Sequence, residues 1–119
     1  MVRIDYKNPQ PLFEQVRDGI RELIVDGVLR ADDKIPSVRE LAMQLSINPN
    51  TIQKSYRELE REGYIYQVSG RGSFVAPAEH SRSPQKERQL CDKLLGIARE
   101  LHYMGMAPDD IKALIDKLE

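Results

Sequence analysis

Leu12, Val16, Ile20, Leu23 and Ile24 recur at helical spacing, with Glu14, Arg17, Asp18, Arg21 and Glu22 between them. That period predicts an amphipathic helix. Pro11 suits its first position, where a missing N–H breaks no bond. Asp26-Gly27 suits its end, because glycine tolerates the left-handed stop. "VLRADDKIP" then reads as a polar connection. Ser37 to Glu40 spells S-x-x-E, the signature of a capping box, and Val38, Leu41, Ala42 and Leu45 give the short helix after it an apolar face. "SIN" is a tight break. Asn48 followed by Pro49 predicts an N-cap side chain and then a first-turn proline, so this proline starts a helix rather than breaking one. The third helix is expected to run to about Glu62 and stop at Gly63.

"YIYQV" and "SFVA" flank "SGRG" and predict two short strands around a glycine-rich turn. "PAEHSRSP", residues 77–84, has the composition of a linker. Beyond it Leu90, Leu94, Ile97, Leu101 and Met104 step by four, three, four and three, a coiled-coil-like seam ended by Gly105. Pro108 opens a last helix, with Asp109 and Asp110 favourable to its dipole and Ile111, Leu114, Ile115 and Leu118 as its apolar stripe.

Helix, helix, tight turn, helix and β-hairpin, in that order, make a winged helix-turn-helix. The expected fold is mainly α with a small β-hairpin. Residues 1–76 form the winged domain, 77–84 the linker, and 85–119 a two-helix tail. The chain's 119 residues allow one compact domain plus such an appendage.

Composition narrows the partners. With 18 Lys and Arg against 19 Asp and Glu, no generic polybasic arm exists, and an anionic partner must be met by a local patch. The single cysteine, Cys91, cannot form an internal disulfide, which fits a reducing cytoplasm, and it reads as a semi-buried apolar residue. No signal peptide and no membrane-spanning run is legible, so no membrane partner is expected.

On a wheel of 100° per residue, Ile52, Ser55, Tyr56 and Leu59 fall on one side of the third helix, and Asn50, Gln53, Lys54, Arg57 and Arg61 on the other. Asn and Gln can bond adenine in pairs, and Arg and Lys can bond guanine, through the major groove. Thr51, with the N–H groups expected to be free at the helix start, predicts a phosphate site. Arg39 in the preceding helix can reach the backbone or a base edge. Gly70 and Gly72 let the wing approach a groove wall, and Arg71 can enter a groove of strong negative potential. Glu58, Glu60 and Glu62 weaken the local field, and Arg61 is set apart because Glu58 stands one turn away to pair with it.

Residues 11–76 resemble the GntR family of transcriptional regulators. The motifs are "G-x-L-x-x-x-x-x-x-P-S-x-R-x-L-A", "N-x-N-T", "Y-x-x-L-x-x-x-G-Y-I" and "G-x-G-S-F-V", in order and at the family's spacing. The resemblance implies DNA contacts by Arg39, by Asn48 to Gln53 and by Gly70. Many relatives carry arginine where this chain has Pro49 and Gln53, a departure that bears on base preference and leaves DNA binding standing. The candidate DNA-binding set is Ser37, Arg39, Asn48, Pro49, Asn50, Thr51, Gln53, Lys54, Arg57, Ser69, Gly70 and Arg71. The short tail resembles the YtrA subfamily, which implies a small homodimeric repressor, often of a transporter operon. Its dimerisation residues would be Leu90, Leu94, Ile97, Leu101, Met104, Ile111, Leu114, Ile115 and Leu118. The competing reading has the tail fold back on the winged domain.

A winged-helix module that binds protein instead of DNA would need an apolar outward face on the third helix, which this chain lacks. An enzyme is not indicated. His80, Cys91 and His102 lie far apart, no nucleophile set is visible, and "SGRGS" lacks the lysine of a phosphate-binding loop. No metal or cofactor is expected. A small-molecule effector between tail and winged domain, or at the dimer seam, would fit the class, but the sequence names no pocket for one.

Overall fold

The computed structural model describes residues 2–78 and 83–118. It contains helices α1 (Leu12–Val25), α2 (Val38–Leu45), α3 (Pro49–Arg61), α4 (Pro84–Tyr103) and α5 (Pro108–Ile115), and strands β1 (Lys34–Ile35), β2 (Ile65–Val68) and β3 (Gly72–Val75). A 3-10 turn over Asp116–Leu118 follows α5. The chain divides into two compact units, Met1–Ser81 and Arg82–Glu119. No helix among the described residues is long and apolar enough to cross a membrane.

Local chemistry accounts for most helix boundaries. Pro11 sits outside α1 as its cap, with extended ψ of 145°, so the helix begins one residue later than its sequence suggests. The capping box of α2 is complete: the Glu40 N–H donates to Ser37 Oγ at 3.0 Å, and the Ser37 N–H to Glu40 Oε1 at 3.4 Å. Ser46 closes α2 in the left-handed region at φ 54°, and the Ile47 N–H returns to the Ala42 carbonyl at 3.0 Å. This αL closure keeps the turn between α2 and α3 short. Asn48 then caps α3, its Oδ1 accepting the Asn50 N–H at 2.8 Å, and Pro49 takes the first turn.

The core of the first unit collects the apolar stripes predicted for its helices. Val16 and Ile20 of α1, Leu41 of α2, and Ile52, Tyr56 and Leu59 of α3 are all essentially inaccessible to solvent. Each such side chain contributes roughly 1.5–3 kcal/mol of burial free energy. Two polar bonds fix α3 within this core. Ser55 Oγ donates to the Phe13 carbonyl of α1 at 2.7 Å, and Tyr56 OH donates to the Pro36 carbonyl ahead of α2 at 2.6 Å. Burial, and then Glu40, pushes the Tyr56 phenol well above its ordinary range, so it stays a neutral donor.

Two features were not legible in advance. The "polar connection" contains β1, which pairs antiparallel with β3 in the order β1-β3-β2. Lys34 faces Phe74 and Ile35 faces Ser73, while Ile65 to Val68 of β2 face Val75 to Gly72. The N-terminal segment is also tied down. Buried Gln15 accepts the Asp5 N–H at 2.9 Å and donates to the Asp5 and Gln10 carbonyls at 3.1 and 2.9 Å. Val2 packs so close to Gly19 that a β-carbon there would stand 3.0 Å from Val2 Cγ1.

In the second unit α4 starts at Pro84, the last residue assigned to the linker, with Ser83 Oγ accepting the Lys86 N–H. Linker residues 79–82, including His80, lie outside the described residues. Cys91 is exposed rather than semi-buried, because α4 buries no residue within the single chain.

Removing the Tyr56 hydroxyl takes the donor from the part-buried bond to the Pro36 carbonyl. Tyr56→Phe should destabilise the fold by about 0.5–1.5 kcal/mol in denaturant titrations while preserving the native circular dichroism. An unchanged midpoint would show that this bond does not help to fix α3.

Candidate nucleic-acid interface

The buried residues of α3 are Ile52, Ser55, Tyr56 and Leu59, the side assigned to packing by the wheel. Asn50, Lys54, Arg57 and Arg61 are therefore exposed on the opposite side, and Gln53 is half-buried at its edge. Arg61 is engaged, donating to Glu58 at 2.7 Å. That hydrogen bond holds the half-buried Glu58 carboxyl below its ordinary value.

Lys54 does not extend straight out from α3. Its ammonium lies 3.9 Å from the centroid of the Phe13 ring, and the Arg17 guanidinium lies 6.0 Å from the same ring. Phe13, whose carbonyl already anchors Ser55, thus draws Lys54 toward the first turn of α1 by a cation–π contact. The sequence pattern did not single out Phe13, because a contact between distant segments leaves no periodic trace.

The start of α3 requires a correction. Its N–H groups are not free: Asn50 donates to the Asn48 side chain, Thr51 to the Asn48 carbonyl at 2.9 Å, and Pro49 has none. An anion at this point would meet the half-buried Thr51 side chain and the cap itself rather than a row of open amides. Ser37 is likewise engaged as the cap of α2, which leaves Arg39 exposed one residue into that helix.

Ser69, Gly70 and Arg71 are all exposed at the tip of the hairpin, closed by the Arg71 N–H donating to the Val68 carbonyl at 2.9 Å. Gly70 has φ +78°, and a β-carbon on it would meet nothing within 4 Å. The turn therefore needs glycine there for its backbone conformation and leaves open space around it.

Some of the cations are held in ion pairs. Arg17 and Arg21 pair with Asp18 at 2.9 Å, Arg21 also reaches Glu62 at 3.5 Å, and Arg61 pairs with Glu58. Arg39, Arg57 and Arg71 make no ion pair among the described residues. These three come from α2, α3 and the wing, the elements that meet DNA in a winged helix. Among the described residues no group of three or more His, Cys, Asp or Glu stands close enough to hold a metal ion.

The tail carries a second exposed surface. Leu90, Leu94 and Ile97 of α4 and Met104 at its C-cap are exposed, as are Leu114, Ile115 and Leu118 beyond it, whereas Leu101 and Ile111 are half-buried. Leu95, outside the predicted seam, is exposed as well.

Known proteins match both the fold and the sequence. Residues 12–75 match the family described as "Bacterial regulatory proteins, gntR family". The HTH-type transcriptional repressor YtrA of Bacillus subtilis (strain 168) is 34% identical over 99% of this chain and 92% of its own length. A transcriptional antiterminator from Listeria monocytogenes EGD-e has a similar structure, with TM-score 0.80, 38% identity, and coverage of 98% of this chain and 88% of that one. The DNA-binding domain of AraR, solved in complex with operator ORR3, matches 64% of this chain and 92% of its own with TM-score 0.55 and 33% identity. The winged helix-turn-helix, its exposed polar α3 face and these matches together show that the chain belongs to the gntR family of bacterial regulatory proteins, DNA-binding transcription regulators rather than enzymes.

Proposed function

We propose that this protein is a homodimeric repressor that reads a pseudo-palindromic operator with α3 of each subunit. The observation that carries the reading is the outward polar face of α3, together with the exposed cations Arg39 and Arg71, which make no ion pair among the described residues. Asn50, Gln53 and Arg57 read base edges in the major groove. Arg39, Thr51 and Lys54 hold the phosphate backbone, with Ser37, Asn48 and Pro49 shaping the approach. Ser69, Gly70 and Arg71 meet the adjacent minor groove. Lys54 belongs with the backbone contacts because its ammonium is drawn aside by Phe13. The AraR domain bound to its operator supports a duplex as the partner, and the repressor YtrA supports repression as the outcome.

Dimerisation runs through the tail. Its exposed leucines and isoleucines are continuous enough along α4 and α5 to need a cover, and a second copy supplies the same apolar stripe. The two-fold axis then calls for half-sites one helical turn, or a multiple of it, apart. Repression of a transporter-type operon follows the subfamily resemblance, as does action in the reducing interior of a bacterial cell. A small-molecule effector would have to bind the DNA-competent and incompetent dimers unequally.

Duplex selection from random sequence, followed by gel shift at several salt concentrations, tests the DNA reading. A two-fold motif bound with strong salt dependence is expected. Asn50→Ala should then lose about 1–3 kcal/mol on the selected site and little on random duplex. Arg39→Ala should weaken both. Wild-type protein that binds all duplexes equally would overturn the assignment of base readers. Light scattering tests the tail. The wild-type chain should have twice its monomer mass, and the double variant Leu94→Asp, Ile97→Asp should be monomeric with an intact winged domain. A wild-type monomer, or a double variant that stays dimeric, would contradict the seam.

A further inference from the structure

Lys34 is a cation to which neither sequence pattern nor family motif assigns a role. It lies on the edge strand β1, and Phe74 is its partner on β3. Side chains alternate across a strand, so Lys34 shares the outer face of the sheet with Phe74, Gly72 and Tyr66, while Ile35 and Val75 point into the core. Tyr66 stacks on Phe74 with ring centroids 5.6 Å apart.

Two acids precede Lys34, yet neither pairs with it. Asp32 Oδ1 accepts the Tyr66 hydroxyl at 2.7 Å, and Asp33 Oδ2 accepts the Arg30 N–H at 2.8 Å. Lys34 instead runs diagonally along the sheet toward the wing turn. A β-carbon built on Gly72 would stand 3.1 Å from Lys34 Cε and 3.8 Å from its Nζ. Gly72 has φ +122°, and its missing side chain is the space that the lysine crosses. The exposed ammonium thus arrives beside the residue that follows Arg71, with both neighbouring carboxylates bonded to other donors.

We infer that Lys34 is a backbone contact of the wing: its ammonium, carried over Gly72, binds a phosphate bordering the groove that Arg71 enters. The contact rests on the reading of the wing as a DNA element. It adds affinity without sequence information, as a point charge on a phosphate must. It also gives Gly72 a second role besides backbone conformation, as the saddle for this side chain.

The test uses the full-length protein with Lys34→Gln, whose exposed site puts no burden on folding, and Lys34→Arg. Binding to the selected duplex and to a scrambled one is followed by fluorescence anisotropy between 50 and 200 mM salt. Loss of one phosphate contact lowers the slope of log K against log salt by about 0.9 per winged domain bound. The wild-type advantage over Lys34→Gln should therefore shrink about 3.5-fold per domain across that range, by a similar factor on both duplexes. Lys34→Arg should restore the slope. A Lys34→Gln slope equal to wild type, with Arg39→Ala still weakening binding, would overturn the role of Lys34 and leave the DNA reading intact. A wild-type protein with no salt-dependent affinity for either duplex would overturn both.

Discussion

The orientation of α3 is set by one buried stripe. Ile52, Ser55, Tyr56 and Leu59 are all fully enclosed, and two of them add hydrogen bonds to backbone carbonyls on either side, at Phe13 and Pro36. Apolar burial alone would tolerate some rotation of the helix. The Ser55 and Tyr56 bonds resist it, because rotation would break two part-buried hydrogen bonds, each worth about 0.5–1.5 kcal/mol. Asn50 and Arg57, opposite this stripe, have no alternative but to face outward. The polar face is thus a consequence of the core rather than a separate feature of the surface.

Electrostatics sharpen that surface without a net positive charge. The chain is nearly neutral; cations along α1 and at the end of α3 are paired with Asp18, Glu58 and Glu62, whereas Arg39, Arg57 and Arg71, like Lys34, make no ion pair among the described residues. Burial raises the Asp18 carboxyl, but hydrogen bonds from Arg17 and Gln10 outweigh it and bring the group below its ordinary value. Aromatic rings do related work. Phe13 diverts Lys54, and the Tyr66–Phe74 stack lies beside the path of Lys34.

Helices were legible because caps and stripes are local. Ser37 with Glu40, and Asn48 with Pro49, mark their helix starts within four residues, and the period of α3 named its buried side. What escaped was non-local. β1 is two residues long and is a strand only because β3 lies beside it. Lys54 turns aside for a ring on another helix, and Lys34 leans on a glycine of another strand. The N–H groups at the start of α3 looked free because helix N-termini generally are, but Asn48 consumes two of them with its side-chain and main-chain oxygens. Cys91 looked half-buried on composition alone, whereas α4 buries nothing within one chain.

The tail and the winged domain answer different needs. One unit presents hydrogen-bonding side chains from a rigid core, and the other presents an apolar stripe that is exposed along both of its helices. The facing of α3 is the point on which the functional reading turns. An amide and side-chain NMR titration of the labelled protein with its selected duplex measures it most directly. The account predicts that shifts concentrate on the side-chain N–H groups of Asn50, Gln53 and Arg57 and on the wing turn at residues 69–72, with Ser55 and Leu59 unmoved. Perturbations confined to α1 or the tail, with the α3 side chains silent, would contradict it.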